Sequence, residues 1–182
     1  DCTPTVLVTT ADKAPLADGR EGLSILVADE GLLETLGTKP ASFEATTTAR
    51  DMALYQYTSG TTREMPEAVK HAHQTAVTVA IASLYATGAR PGDNFCCPSS
   101  PAWGHGLAHG TLGPLGLGVN ITSWSGQFVA ERFLQVLQDY EITNLSAAAT
   151  HYRMLKNSGE AGNYRYGLEK LTFTGEPIDT DT

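Results

Sequence analysis

The sequence predicts an α/β fold, a mainly parallel sheet flanked by helices. Three observations carry this reading. Short, nearly continuous apolar runs of strand length recur along the chain, as the buried strands of a parallel sheet require. Stretches with apolar residues at helical spacing separate them, and strand–helix–strand alternation gives right-handed crossovers. Hydrophobic residues make up 41% of the 182 positions and charged residues 18%. That is enough to bury a core, and it excludes a disordered tail or a disulfide mini-scaffold.

The elements follow in order. Thr5-Val6-Leu7-Val8-Thr9 and Leu23-Ser24-Ile25-Leu26-Val27-Ala28 read as strands of an N-terminal βα lobe. The Thr- and Ala-rich stretch from Thr38 to Arg50 reads as a linker, so the lobe and linker take residues 1–50 and the main sheet takes 51–182. Leu54-Tyr55-Gln56-Tyr57-Thr58 alternates and meets Ser59-Gly60. Val77, Ala80, Ile81, Leu84 and Tyr85 mark one face of a helix that stops before Gly88, with a turn at Arg90-Pro91-Gly92-Asp93. Cys96 and Cys97 fall in a strand and read as core. From Trp103 to Gly118 the chain carries Gly104, Gly106, Gly110, Gly113, Gly116, Gly118 and Pro114. Propensity alone makes this a loop, but its apolar content predicts a buried helix with close neighbours. Val129, Phe133, Val136, Leu137 and Tyr140 mark a second helix, and Tyr152 and Leu155 a short third. Ile142–Leu145 and Leu171–Thr174 complete the strands. No internal repeat is visible.

Charge narrows the function classes. Twelve Lys and Arg stand against 20 Asp and Glu, for a net charge of −8. Nucleic-acid coats and binders of anionic membranes need clustered cations, so both are disfavoured. A local phosphate site built from backbone N–H groups stays open. The cysteines, Cys2, Cys96 and Cys97, make neither a metal spacing nor a disulfide framework, which points to a reducing cytosol. No apolar run approaches the roughly 18–20 residues of a membrane span. No signal-peptide pattern is visible. The chain opens on Asp1 and closes on Ile178-Asp179-Thr180-Asp181-Thr182. Both ends are expected to be cuts from a longer protein.

The strongest chemical signal is Tyr57-Thr58-Ser59-Gly60-Thr61-Thr62, a hydroxyl-rich turn after a strand with a helix-forming stretch soon after it. Hydroxyls and free N–H groups suit a polyphosphate, and Gly60 lets the backbone approach. The Gly-Lys-Ser/Thr ending of a Walker A loop is absent. On chemistry alone, an ordinary polar turn carries equal weight. His71 and His73 share one face if their segment is a strand. His105 and His109 stand four apart on the expected helix. Either pair has a metal-ligand spacing without an evident third ligand, so packed, hydrogen-bonded histidines are the default. Glu131, Glu141 and Glu169 read as solvated surface charges.

Tyr57–Thr62, followed by Pro66 and Val69-Lys70-His71, resembles the phosphate loop of the AMP-forming acyl-CoA synthetases of the adenylate-forming superfamily. More landmarks agree in order. Pro91-Gly92-Asp93, Trp103, Gly113-Pro114-Leu115 and Gly118 resemble the segment after that loop in acetyl- and medium-chain acyl-CoA synthetases. Ala148 through Arg153-Met154-Leu155 and Gly175-Glu176-Pro177 resemble two later motifs of the family. The resemblance implies that the chain is an incomplete portion of the family's large N-terminal domain, residues 51–182 being its phosphate-loop-containing AMP-binding subdomain. It implies that Thr58, Ser59, Gly60, Thr61 and Thr62 hold the β- and γ-phosphates of ATP. Thr62 is the candidate Mg²⁺ contact. Gly175, Glu176 and Pro177 would line the adenine, and Trp103, Gly104 and His105 the acyl pocket. The implied reaction joins a carboxylic acid to CoA through an acyl-adenylate, with ATP as co-substrate.

The departures are specific. Arg63 stands where the family has Gly, the loop runs one residue longer through Glu64-Met65, and Glu67 and Ala68 replace a Lys and a Gly. Glu in place of Lys beside a triphosphate inverts a favourable charge. The family's Mg²⁺-holding Glu, ribose Asp and distal Lys are absent from this stretch, so it is expected to hold no catalytic residue and to be inactive alone. Two alternatives stay open: an adenylate-former that uses a carrier protein or an amine, and a degenerate module that binds nucleotide or a partner. Sheet edges left uncovered are expected to favour a homodimer. In acetate-using relatives a β-branched residue stands at the position of Gly104, so its loss here implies a medium-chain or aromatic acid.

Overall fold

The computed structural model describes residues 3–58 and 67–181, without the side chains of Thr58 and Glu67. The chain forms two compact units, Asp1–Thr47 and Thr48–Thr182.

In the first unit β1 (Val6–Thr9) and β2 (Ser24–Val27) pair in parallel, Val6 opposite Ser24 and Thr9 opposite Val27. Helix α1 (Glu30–Gly37) follows. Its N-cap Asp29 accepts the Leu32 N–H at 2.9 Å, satisfying one of the free donors of the first turn.

The second unit opens with an antiparallel hairpin, β3 (Met52–Thr58) and β4 (Glu67–Ala72), in which Thr58 pairs with Glu67. The sequence suggested a helix soon after the hydroxyl-rich turn. Instead a second strand forms first, and α2 (Thr75–Ala86) starts only after it. Cross-strand pairing decides this: Tyr55 lies opposite Lys70, whose Nζ sits 5.8 Å from the ring centroid.

A four-stranded parallel sheet follows, in the order β6-β5-β7-β8. Its strands are β5 (Asn94–Cys97), β6 (Asn120–Ser123), β7 (Asn144–Ala148) and β8 (Lys170–Thr174). The expected α/β fold with a mainly parallel sheet is therefore present. Between β5 and β6 the Gly-rich stretch is helical, as expected, but its first part winds as a π-helix, His105–Leu112, before α3 (Gly113–Gly116). Helix α4 (Ala130–Asp139) joins β6 to β7, and α5 (Ala149–Ser158) joins β7 to β8. The core lies between α4 and the sheet: Phe133, Leu134 and Leu137 pack with Cys96, Ile142, Leu145, Ala147 and Leu155.

Helix α2 corrects the apolar stripe read from sequence. Val77, Ile81 and Tyr85 are 64%, 54% and 79% exposed, and the fully buried residue is Ser83. Small residues make the contact. A methyl group added at Gly113 would overlap the Ser83 hydroxyl, and one at Gly116 would lie 3.6 Å from the Ala80 Cβ.

The lower edge of the sheet, at the strands' N-terminal ends, is tied by charge. Lys170 Nζ donates to both carboxylate oxygens of Asp93, at 2.7 and 2.8 Å. The amide of Asn144 donates to Asp93 at 3.1 Å and to the Thr87 carbonyl at 3.0 Å, and the Arg90 N–H donates to Asp93 at 3.0 Å. The Pro91-Gly92-Asp93 turn thus holds the starts of β5, β7 and β8 in register.

Candidate functional site

The strand order creates the site. The chain leaves β5 for β6 on one side, returns through α4 to β7 on the other, and continues outward to β8. Neighbouring β5 and β7 send their crossovers in opposite directions, so a crevice opens at their C-terminal ends, where open α/β sheets bind ligands. A cavity of about 500 Å³ occupies it. Pro98, Ser99 and Ser100 line it after β5, Trp103 and His105 on the way into the π-helix, Ala148, Thr150 and His151 at the start of α5, and Thr174 and Gly175 at the end of β8.

His105 lies between two hydroxyls, with Nδ1 3.0 Å from Ser99 Oγ and Nε2 3.1 Å from Ser146 Oγ. Burial lowers its pKa, and the neighbouring His109 and His151 lower it further. The ring is therefore held neutral, and hydroxyls that both donate and accept satisfy either tautomer. His151 Nδ1 accepts the Ala148 N–H at 3.3 Å, which leaves the proton of the neutral ring on Nε2. Burial also lowers the His151 pKa, and Phe128 packs against its ring at 4.7 Å between centroids. The first turn of α5 borders the cavity, so its free N–H groups and positive helix end favour an anion there.

On the far side, Glu176 accepts a hydrogen bond from Thr150 Oγ1 at 2.8 Å and pairs with Arg153 Nη1 at 2.7 Å. The Thr150 hydroxyl, then the Arg153 charge, hold its carboxyl below the usual carboxylate range.

The geometry brings Trp103 and His105, which the sequence assigned to the acyl pocket, together with Gly175, which it assigned to the adenine. Gly104 borders a different wall: a Cβ there would lie 3.1 Å from Gln56 Nε2 of β3. Glu176 and Pro177 stand beside the cavity, bonded to α5. Ser59, Gly60, Thr61 and Thr62 lie outside the described residues, and only the backbone of Thr58, at the end of β3, lies within them. His71 and His73 line a separate cavity of about 300 Å³ with Leu54, Val79 and Leu107. Among the described residues no group of three or more His, Cys, Asp or Glu is placed to hold a metal ion. His105 and His109 lie with ring centroids 6.2 Å apart and planes tilted by 33°. Sequence reasoning missed Ser99, Ser146, Thr150 and His151. The family-like Ala148–Leu155 stretch was the signal that could have found the last two.

Cys96 and Cys97 are buried, free thiols. Burial, reinforced by Cys97, pushes the Cys96 thiol up to about 12, and burial raises Cys97 as well. Neither is an activated nucleophile. Iodoacetamide near pH 8 is expected to leave both unmodified in the native protein and to label both in denaturant, as read by peptide mass spectrometry. Native labelling of either would contradict the packing.

No helix among the described residues is long and apolar enough to cross a membrane. The family model for "AMP-binding enzyme" matches residues 1–182. The uncharacterized acyl–CoA ligase YtcI of Bacillus subtilis (strain 168) is 31% identical over 141 residues, covering 75% of this chain and 26% of its own. The acetyl-coenzyme A synthetase of the same organism is 25% identical over 135 residues, covering 72% of this chain and 23% of its own. Among solved structures, the acyl-CoA synthetase of Brucella canis superposes with a TM-score of 0.82 at 22% identity, over 97% of this chain and 35% of that one. That likeness shows the fold. The chain spans about a quarter of the length of the curated relatives it matches.

Proposed function

This chain belongs to the AMP-binding enzyme family, among the adenylate-forming acyl-CoA synthetases, and on that premise we propose that it serves an AMP-forming acid–thiol ligase. In this reading a carboxylate oxygen attacks the α-phosphate of ATP, pyrophosphate leaves, and the thiol of CoA then displaces AMP to give the thioester. The observation that supports it best is the single cavity that joins Trp103 and His105 to Gly175 and the first turn of α5. An acid seated against Trp103 and a nucleotide seated against Gly175 would meet across it, and positioning of two bound reactants is a large part of such catalysis. The N–H groups and dipole of α5 favour the anionic centre between them. Thr58–Thr62 would hold the β- and γ-phosphates, and Mg²⁺, with Thr62 as its candidate contact, would offset their charge when bound. Two buried free thiols fit a reducing cytosol.

The acid is larger than acetate in this reading. Trp103 and His105 line a cavity of about 500 Å³, more room than acetate fills. Each further methylene buried contributes about 0.8 kcal/mol, whereas acetate would leave a void. The test is ATP–pyrophosphate exchange and thioester formation by the full-length protein with acids from acetate to octanoate and benzoate. The expected result is exchange with a higher kcat/KM for at least one larger acid than for acetate. Exchange led by acetate overturns the substrate class, and no exchange with any acid overturns the function.

A further inference from the structure

We propose that Arg153 is a positioning residue for nucleotide binding, acting through the segment Gly175–Pro177; this rests on the reading that the cavity takes ATP. After β8 the chain turns at Gly175, whose φ of +95° lies in the region that favours glycine. A Cβ built there meets no neighbouring atom within 4 Å. Side chains of helix α5 hold the residues that follow it. Arg153 Nη1 donates to Glu176 Oε1 at 2.7 Å, and Nη2 donates to the Pro177 carbonyl at 2.6 Å. One planar guanidinium thus fixes both the side chain of one residue and the backbone of the next, a fork that lysine cannot reproduce. Thr150 Oγ1 donates to the same Glu176 oxygen at 2.8 Å.

These contacts matter because of where they sit. Thr150 and Gly175 both line the cavity, so the bonds link its α5 wall to its β8 wall. Arg153 is not among the lining residues; it stands behind them, with its side chain one-third exposed. Its ion pair is too open to contribute much to global stability. What it supplies is a fixed path for the residues after Gly175, so that bound nucleotide need not order them. Ordering a short segment on binding lowers affinity for the ligand that touches it and leaves other ligands nearly unchanged.

The test uses the full-length enzyme. Calorimetry measures the ATP dissociation constant, and steady-state kinetics give KM for ATP and for the acid, in wild type, Arg153→Ala, Arg153→Lys, Glu176→Ala and the Arg153→Ala/Glu176→Ala double variant. Arg153→Ala is expected to weaken ATP binding and raise KM for ATP about tenfold, the size of one charge-assisted hydrogen bond. KM for the acid should move less than about twofold and the melting temperature little. Arg153→Lys should fall between, and the double variant should be no worse than Arg153→Ala because the two residues act as one unit. Equal losses for ATP and acid, or additive effects in the double variant, overturn the proposal. If Arg153→Ala does not fold, Arg153→Lys, which keeps the charge and loses the fork, carries the same comparison: a selective loss of ATP binding supports the proposal and none overturns it. Wild type that fails to bind ATP overturns the functional reading itself, separately from any variant.

Discussion

Replacing Gly106 with alanine in the full-length protein is expected to cost roughly 2–3 kcal/mol of stability and, under the proposed function, most of the acid-dependent activity. A Cβ at this position would overlap the backbone carbonyl oxygens of Ser99 and Ser100. Those atoms cannot rotate away as a side-chain tip can, so either the π-helix or the segment after β5 must shift. Both are walls of the cavity, and His105, bonded to Ser99 Oγ at 3.0 Å, is the residue before the substitution. A displacement there moves the Trp103 wall of the cavity and the imidazole together. Gly116→Ala is the control, because its Cβ would meet Ala80 at an ordinary 3.6 Å. Alanine also favours a helix by up to about 1 kcal/mol over glycine, so that variant should be neutral or slightly stabilised. Urea denaturation and pyrophosphate exchange on both variants decide the matter. A wild-type midpoint for Gly106→Ala would mean that the close approach does not exist in solution.

Asp93→Ala is expected to lower stability by about 2–3 kcal/mol, somewhat less than the loss of a fully buried pair because Lys170 keeps some water contact. The Asp93 side chain is 9% exposed and that of Lys170 31%. Removing the carboxylate takes an acceptor from the Lys170 ammonium, from one N–H of the Asn144 amide and from the Arg90 N–H at once. The pH dependence gives a second check. Burial alone would raise the Asp93 pKa, but hydrogen bonds from Lys170, Asn144 and Arg90, together with the Lys170 charge, outweigh it and hold the pKa low. A carboxylate with a folded pKa below its unfolded value contributes stability above the unfolded value, near 3.9, and loses it as pH falls through the folded one. The stability gap between wild type and Asp93→Asn should therefore be full near pH 7 and shrink below about pH 4. A gap that is constant or grows toward acid would show that the charge of Asp93 contributes nothing.

Much of the architecture was legible because it depends on local composition. Runs such as Thr5–Thr9 and Leu171–Thr174 have the β-branched and apolar composition and the length of strands, and Phe133 and Leu137 mark the inward face of α4. Strands β4 and β6 were missed for opposite reasons. β4 carries His, Lys and Glu and becomes a strand through its pairing with β3, and β6 is a four-residue edge strand. The face of α2 was misread because hydropathy weights large side chains, whereas close helix contact selects small ones. Ser83 and Ala80 therefore pack inward while Val77, Ile81 and Tyr85 stay exposed.

By itself the sequence determined the fold class and an ordered set of motifs, since both are written in residue type and spacing. Only the tertiary structure decided which of those motifs share a site. Trp103 and His105 follow β5, Thr150 and His151 follow β7, and Gly175 follows β8. They meet because these strands run parallel in the order β5-β7-β8, so their C-terminal ends open on the same side of the sheet. The same order separates the Asp93 network, at the strands' opposite ends, from the cavity. The hydroxyl pair around His105 and the fork of Arg153 on Glu176 and Pro177 likewise exist only after folding, because each joins residues on different elements.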